Sequence, residues 1–168
     1  MYQQILVAVD GSETSLRALD AALQLAHDAG AQVQPLFVVD VPVMAYDVPA
    51  YDPSYVRDAL LEEGRHVSDD AVARMRRAGV AGTPRVIEAD PVTDDVAHCI
   101  RRAAADFKAD VVVMGTHGRR GFRRMVLGSV AEHFLRIAEC PVLMIPARCA
   151  QPATSETTPA SETAKEPS

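Results

Sequence analysis

One glycine-rich segment of the chain carries the residue types that bind phosphate. The run Met114-Gly115-Thr116-His117-Gly118 follows an apolar stretch, and Gly128-Ser129 comes after a further nine residues, where a helical pattern begins. Glycine lacks a Cβ and tolerates positive φ, so its backbone can approach an anion closely. A helix that starts beside it adds free N–H groups and a partial positive charge. The spacing therefore predicts a phosphate-binding loop.

This loop is basic, although the chain as a whole is acidic. The residues from Gly115 to Gly128 include no carboxylate, while the net charge of the chain is −6. A local basic loop on an acidic protein favours a small anion over nucleic acid or an anionic membrane. Its four arginines are Arg119, Arg120, Arg123 and Arg124. Because guanidinium groups make charge-assisted bonds to phosphate, we favour anion contact over a solvated charged face.

Two residues at the ends of other apolar runs each have two interpretations. Asp10 can accept hydrogen bonds from ribose hydroxyls, or it can bond the backbone N–H groups of a strand-to-helix turn. Val38 can line a slot for an adenine ring or belong to the ordinary core. Ligands of open α/β sheets bind at the carboxyl ends of strands, where the strand order reverses. The sequence leaves both alternatives open.

Ser129 is ambiguous in the same way. With Glu132 three residues later it matches a capping box, which needs no ligand. Its hydroxyl and backbone N–H could instead bind a phosphate at the start of the helix. Residue type alone favours the cap, although the two uses do not exclude each other.

The histidines and cysteines indicate no catalytic or metal site. His117 has no serine, cysteine or metal-ligand partner near it in sequence. Cys99, Cys140 and Cys149 are odd in number and lack a Cys-x-x-Cys spacing, so we expect no disulfide framework and a reducing cytoplasm. The remaining histidines are scattered over helical segments and are not predicted to be ligands: His27, His66, His98 and His133.

Five short apolar runs alternate with helical patterns, which predicts an α/β fold with a parallel sheet and helices on both faces. The predicted strands cover residues 5–9, 33–39, 83–89, 110–114 and 141–146. The predicted helices run from Ser12 to Gly30, over residues 54–78 before Gly79, from Pro91 onwards, and from Gly128 to about residue 138. Residues 40–53, which include Tyr46 and Tyr51, predict a lid or variable loop.

The chain of 168 residues, 48% of them hydrophobic, is long enough for one domain with a sizeable core. All the predicted elements fall in residues 1–147. Residues 148–168 contain almost no large apolar side chains and are expected to be disordered. No apolar run approaches the roughly 20 residues that span a bilayer, and no signal-peptide pattern is present, so we expect a soluble cytoplasmic protein.

Three separate blocks together resemble the universal stress protein family. They are Ile5-Leu6-Val7-Ala8-Val9-Asp10-Gly11-Ser12, Phe37-Val38-Val39-Asp40, and the glycine loop continued by Gly128-Ser129-Val130-Ala131. The loop matches Gly-x2-Gly-x9-Gly-Ser/Thr, the pattern of the family's ATP-binding branch. The resemblance spans roughly residues 1–147 and is quite specific because three distant motifs agree.

The resemblance implies a Rossmann-like fold with a five-stranded parallel open sheet of order 3-2-1-4-5. It also implies a homodimer through the last strand, Pro141-Pro146. Asp10 would contact the ribose or adenine, Val38 would line the adenine slot, and Ser129 would hold the terminal phosphates. The nucleotide-binding positions so implied are Ala8, Asp10, Val38, Met114, Gly115, Gly118, Arg119, Gly128, Ser129 and Val130. Any magnesium would be held largely by the phosphates, so no side-chain ligands are predicted.

The function implied is an ATP-binding, nucleotide-responsive dimeric module of the stress response. Binding is better supported than turnover because the sequence offers no evident general base and no Walker-type Gly-Lys-Ser/Thr. One alternative is a slow ATPase or phosphotransferase in which the loop arginines stabilise developing charge. Another is a nucleotide-independent partner-binding dimer, against which the intact glycines argue.

Overall fold

The computed structural model describes residues 1–42, 52–90, 93–118 and 127–146. Several sequence predictions lie outside these residues. They are the lid around Tyr46 and Tyr51, Pro91, the arginines of residues 119–126, Cys149 and the tail of residues 148–168.

The described strands form one parallel sheet of order β3-β2-β1-β4-β5, which confirms the predicted fold. The strands are β1 Gln4–Ala8, β2 Gln32–Val39, β3 Arg85–Glu88, β4 Val111–Gly115 and β5 Val142–Ile145. The central strands β1 and β4 are buried on both faces, as their unbroken aliphatic runs predict. The strand at residues 83–89 is shorter than predicted, since β3 has four residues.

Four helices cover the two faces of the sheet. They are α1 Glu13–Ala29, α2 Pro53–Ala78, α3 Val96–Phe107 and α4 Ser129–Ile137. Helices α1 and α2 pack on one face, where Val7 and Phe37 belong to the core. Helices α3 and α4 pack on the other face, where Leu6 and Val112 belong to a second core cluster. None of the described helices is long and apolar enough to cross a membrane.

The first two helices begin and end where the sequence predicts. The Ser12 hydroxyl caps α1 by accepting a hydrogen bond from the Ser15 N–H at 3.2 Å. Gly30 follows α1 with φ at 67°, and Gly79 follows α2 with φ at 65°, both in the left-handed region that favours glycine.

The start of α3 was predicted wrongly. The sequence placed it at Pro91, whereas the helix begins at Val96. Asp95 is the N-cap, because its carboxylate accepts a hydrogen bond from the His98 N–H at 2.8 Å. An aspartate immediately before the first residue of an apolar stripe is the stronger signal, and it fixes the boundary here.

Candidate functional site

The candidate site lies where the strand order reverses, at the carboxyl ends of β1 and β4. These strands are neighbours, and Val7 pairs with Val113 in their register. The crossover from β1 leads to β2 on one side, while β4 lies on the other side. Crevices at such switch points are where open α/β sheets bind ligands. Asp10 and the glycine loop follow these two strands directly.

Alternate residues of the three inner strands present apolar side chains on the α3–α4 face of the sheet. Ala8 of β1, Val38 of β2 and Met114 of β4 all pack on that side. Ala8 and Val38 are half-buried, whereas Met114 is buried. Ile87 of β3 pairs with Val38 and packs on the same cluster. The sequence analysis missed Ile87, which became recognisable only once the strand register was known.

Asp10 makes the turn contacts that its structural interpretation predicts. Its Oδ1 accepts hydrogen bonds from the Ser12 N–H at 3.0 Å and the Ser12 hydroxyl at 2.6 Å. The Asp10 N–H donates to the Ser15 hydroxyl oxygen at 3.2 Å. These bonds fix the carboxylate, and its Oδ2 lies toward Gly118. The same residue therefore shapes the turn and borders the glycine loop.

The described glycines of the loop, Gly115, Gly118 and Gly128, matter for close packing and do not have positive φ. The glycines with positive φ in the described chain are Gly11, Gly30, Gly79 and Gly82. An ideal Cβ at Gly118 would lie 2.6 Å from Asp10 Oδ2. An ideal Cβ at Gly115 would lie 2.7 Å from Cγ2 of Thr14, a buried residue of α1 that the sequence analysis also missed.

Backbone hydrogen bonds join the two ends of the loop. The Gly128 N–H donates to the Thr116 carbonyl at 2.8 Å. The Thr116 N–H in turn donates to the Ile145 carbonyl of β5 at 2.9 Å. The start of α4 is thus fixed beside the end of β4, as the Gly-x2-Gly-x9-Gly-Ser spacing requires. Arg119 and the other loop arginines lie outside the described residues.

Ser129 is not a helix cap, so the capping-box prediction is wrong. Gly128 occupies the N-cap position, and Ser129 is the first residue of α4 with no side-chain capping bond at this terminus. The Glu132 N–H closes the first turn by donating to the Gly128 carbonyl at 2.8 Å. The N–H groups before it have no acceptor within the helix, and they carry the positive end of the dipole. Ser129 and Val130 are exposed.

His117 and Cys99 are each held in an environment that argues against a nucleophile or base. The Thr116 hydroxyl lies 3.0 Å from His117 Nδ1, and His117 Nε2 is buried without a partner among the described residues. Burial, followed by the neighbouring carboxylate of Asp94, raises the pKa of the Cys99 thiol to about 11. Cys99 is therefore protonated near neutral pH and fills the core, as its residue type predicts.

The sequence model of the universal stress protein family matches residues 1–146. This match covers every described strand and helix, together with the loop from Gly115 to Gly128. The chain belongs to the universal stress protein family. The resemblance carried by the three sequence blocks is confirmed, and membership explains the strand order and the site at its reversal.

Relatives and solved structures of the family agree in length and fold. A universal stress protein of Methanocaldococcus jannaschii is 33% identical over 146 residues, which are 86% of this chain and 82% of the relative. A crystal structure of a family protein from Burkholderia pseudomallei is 54% identical, with a TM-score of 0.73 over 87% of this chain and 97% of that chain. A family member crystallised in complex with cAMP is 27% identical, with a TM-score of 0.62 over 86% of this chain and 97% of that chain.

Proposed function

We propose that this universal stress protein binds an adenine nucleotide, ATP with magnesium, and acts as a nucleotide-responsive module. The observation that carries the proposal is the approach of Gly118 to Asp10, which leaves no space for a side chain at position 118. Gly128, the N-cap of α4, lies beside Gly118, because its ideal Cβ would be 4.0 Å from the Gly118 backbone N, and Ser129 after it is exposed. Glycine backbone beside a helix N-terminus is a suitable surface for phosphate groups.

The described residues fit the rest of a nucleotide. Ala8 and Val38 would line the adenine slot, and Asp10 would meet the ribose. Met114 and Gly115 would border the sugar and the first phosphate. The Ser129 hydroxyl and the N–H groups of Ser129 and Val130 would hold the outer phosphates. Arg119 would add charge, and the phosphates themselves would supply the magnesium ligands.

A relative's ligand supports this assignment to adenine nucleotides. The family member in complex with cAMP, an adenine nucleotide, shares the fold over nearly its whole length. Gly115, Gly118, Gly128 and Ser129 follow the spacing of the ATP-binding branch. We propose that the basic loop extends the site from a monophosphate to a triphosphate.

Binding rather than hydrolysis is the function that the site geometry favours. A general base must reach the attacking water with an available lone pair. Asp10 Oδ1 is occupied by two hydrogen bonds from Ser12, and its Oδ2 packs against Gly118. His117 Nδ1 is in contact with the Thr116 hydroxyl, and its Nε2 is buried from solvent. We propose that the protein retains bound ATP and signals through its occupancy.

We further propose that residues 1–147 form the single domain and that two copies pair through β5. This strand pairs with β4 on one side among the described residues and forms an edge of the sheet. Leu143 of β5 is a large hydrophobic residue with 39% of its surface exposed. An apolar edge strand is a ready surface for pairing with another chain. Cys99 and Cys140 form no disulfide among the described residues, in keeping with the reducing cytoplasm that we propose.

A thermal-shift panel tests the proposed ligand. Nucleotide-free protein is heated with ATP, ADP, AMP or cAMP, each with and without magnesium. A ligand at 100 times its dissociation constant adds about 2.7 kcal/mol to the free energy of unfolding. For a domain of this size the melting temperature rises by about 5–10 °C. The largest rise is expected for ATP with magnesium, and no rise with any of the four nucleotides would refute the proposal.

A further inference from the structure

Three potential metal ligands meet where the start of α3 packs beside α4. Nδ1 of His98 lies 3.0 Å from Asp95 Oδ1, and Nδ1 of His133 lies 3.0 Å from Asp95 Oδ2. The two imidazole rings meet edge to face, with their centroids 5.1 Å apart. One ligand atom from each residue lies within 4.8 Å of the others. This arrangement joins residues from two helices.

The backbone holds Asp95, which contacts both histidines, in place. Asp95 is the N-cap of α3, and its Oδ1 accepts a hydrogen bond from the His98 N–H at 2.8 Å. Helices α3 and α4 share a buried contact in which Ala97, Ile100 and Phe134 are in the same core cluster. The cluster is therefore formed by folding, and only side-chain torsions remain to be adjusted.

Access from solvent is open, and the neighbouring charges are already paired. The side chains of Asp95, His98 and His133 are between 42% and 50% exposed. Asp94, the adjacent carboxylate, is bonded to the Arg102 guanidinium and to the Cys99 thiol. Asp94 is thus paired with Arg102 and Cys99, and both imidazoles contact the carboxylate of Asp95 instead.

We propose that Asp95, His98 and His133 form a binding site for a divalent transition-metal ion of the zinc class. Two imidazoles and one carboxylate suit zinc and its neighbours, whereas magnesium and calcium prefer sites made of oxygen ligands. Bonds of about 2.0–2.2 Å in a tetrahedral shell place ligand atoms about 3.3–3.5 Å apart. Rotation of the Asp95, His98 and His133 side chains would bring their ligand atoms to these distances. Water completes the fourth position.

Metal binding replaces the contacts of the two imidazoles with Asp95 by coordinate bonds. Each neutral imidazole that coordinates through Nδ1 carries its proton on Nε2, so the ring changes tautomer and the charge of the ligand set stays the same. The positive end of the α3 dipole opposes a cation at this position. The negative charge of Asp95 is therefore essential to the site. The bound ion would clamp the start of α3 to α4.

The site is independent of the proposed nucleotide function and is tested without nucleotide. Ser129 lies four residues before His133, one turn along α4, so phosphates could contribute ligands if they were present. The experiment therefore uses the full chain, freed of nucleotide and metal, and titrates zinc chloride alone by calorimetry. Cobalt(II) serves as a coloured substitute whose absorption reports the geometry of its shell.

We expect one zinc ion per chain and a tetrahedral cobalt(II) spectrum. The double variant His98→Gln, His133→Gln should weaken zinc binding about 100-fold or more, because ligand loss exceeds the 10–100-fold effect of losing an outer-shell partner. Asp95→Asn retains a good N-cap residue but loses the anionic ligand, so it should also weaken binding while α3 stays intact. His66→Gln removes a histidine of α2 that is 75% exposed, and it serves as the matched control.

Two results would overturn this assignment. The first is zinc affinity in the double variant within threefold of the unmodified protein. The second is the absence of stoichiometric binding at micromolar zinc, which would leave Asp95 with a local contact to His98 within α3 and one contact to His133 across to α4. If the double variant does not fold, Asp95→Asn alone decides, and unchanged affinity in that variant counts equally against the site.

Discussion

The carboxylate of Asp10 occupies the space that a side chain on Gly118 would need. An ideal Cβ at position 118 would lie 2.6 Å from Asp10 Oδ2. Since Ser12 holds the other carboxylate oxygen with two hydrogen bonds, the carboxylate cannot turn away without losing them. The end of β1 and the loop after β4 are therefore coupled through two side-chain positions.

The first prediction is energetic coupling between these two positions. Gly118→Ala should lower the free energy of unfolding by about 1–3 kcal/mol, because the added methyl group overpacks against Asp10. In an Asp10→Ala background the same substitution should cost at least about 1 kcal/mol less. Urea unfolding of the two single variants and the double variant measures this cycle. Strict additivity of the three values would contradict the contact.

The second prediction separates the two serines at helix starts. Ser12→Ala should lower the free energy of unfolding by about 1 kcal/mol, because Ser12 caps α1. Ser129→Ala should change it by less than about 0.5 kcal/mol, because Ser129 caps nothing and is exposed. Chemical denaturation of both variants under the same conditions measures the two losses in free energy of unfolding. Equal losses would indicate that Ser129 caps α4 after all, and would argue against a phosphate-binding role for Ser129.

The third prediction concerns the loss of folding stability at acidic pH. Burial acts against the charge of Asp94, but hydrogen bonds from Arg102 and Cys99 outweigh it and hold the pKa of Asp94 below its ordinary value of 3.8. A carboxyl whose pKa is lower in the folded state stabilises that state fully above its unfolded pKa. That stabilisation is lost as the pH falls through the folded pKa.

Asp94→Asn should therefore be less stable than the unmodified protein at pH 7, and the difference should shrink below about pH 4. Urea unfolding at several pH values measures the difference. Asp69→Asn, on the exposed surface of α2, controls for the loss of one negative charge. A difference that stays constant down to pH 3 would show that Asp94 does not act through its ionised form.

The fourth prediction concerns the edge strand. Leu143→Asp should convert a dimer to a monomer, because a charge would be buried at the proposed contact between copies of β5. Light scattering after gel filtration measures the mass. Leu135→Asp, on α4 with 42% of the leucine surface exposed, is the matched control and should leave the dimer intact. Equal masses for the protein and the Leu143 variant would place any dimer contact elsewhere.

Much of the fold could be predicted because its signals are local. The apolar runs of β1 and β4 identify buried strands, and Ser12, Gly30 and Gly79 mark helix ends through their own caps. The strand order followed from the family resemblance. The start of α3 was missed because Pro91 was given more weight than Asp95, although both are recognised helix-start residues.

The site was only partly predictable because its details depend on contacts between distant segments. The Cβ position at Gly118 is restricted by Asp10, and no feature near Gly118 in sequence reveals this. Whether Ser129 or Gly128 caps α4 depends on how the Gly128 N–H reaches Thr116. Likewise, His98 and His133 looked unrelated in sequence because they lie on different helices that meet only after folding.

Equilibrium binding of ATP is the most direct test of the central claim. Calorimetry with ATP and magnesium should show saturable binding to the nucleotide-free protein. Gly118→Val should abolish it, because the side chain would enter the space beside Asp10. Gly79→Ala is strained at the end of α2, away from the carboxyl ends of the strands, and it should lose stability but keep binding. No ATP binding by the unmodified protein, or undiminished binding by a folded Gly118→Val variant, would contradict the account.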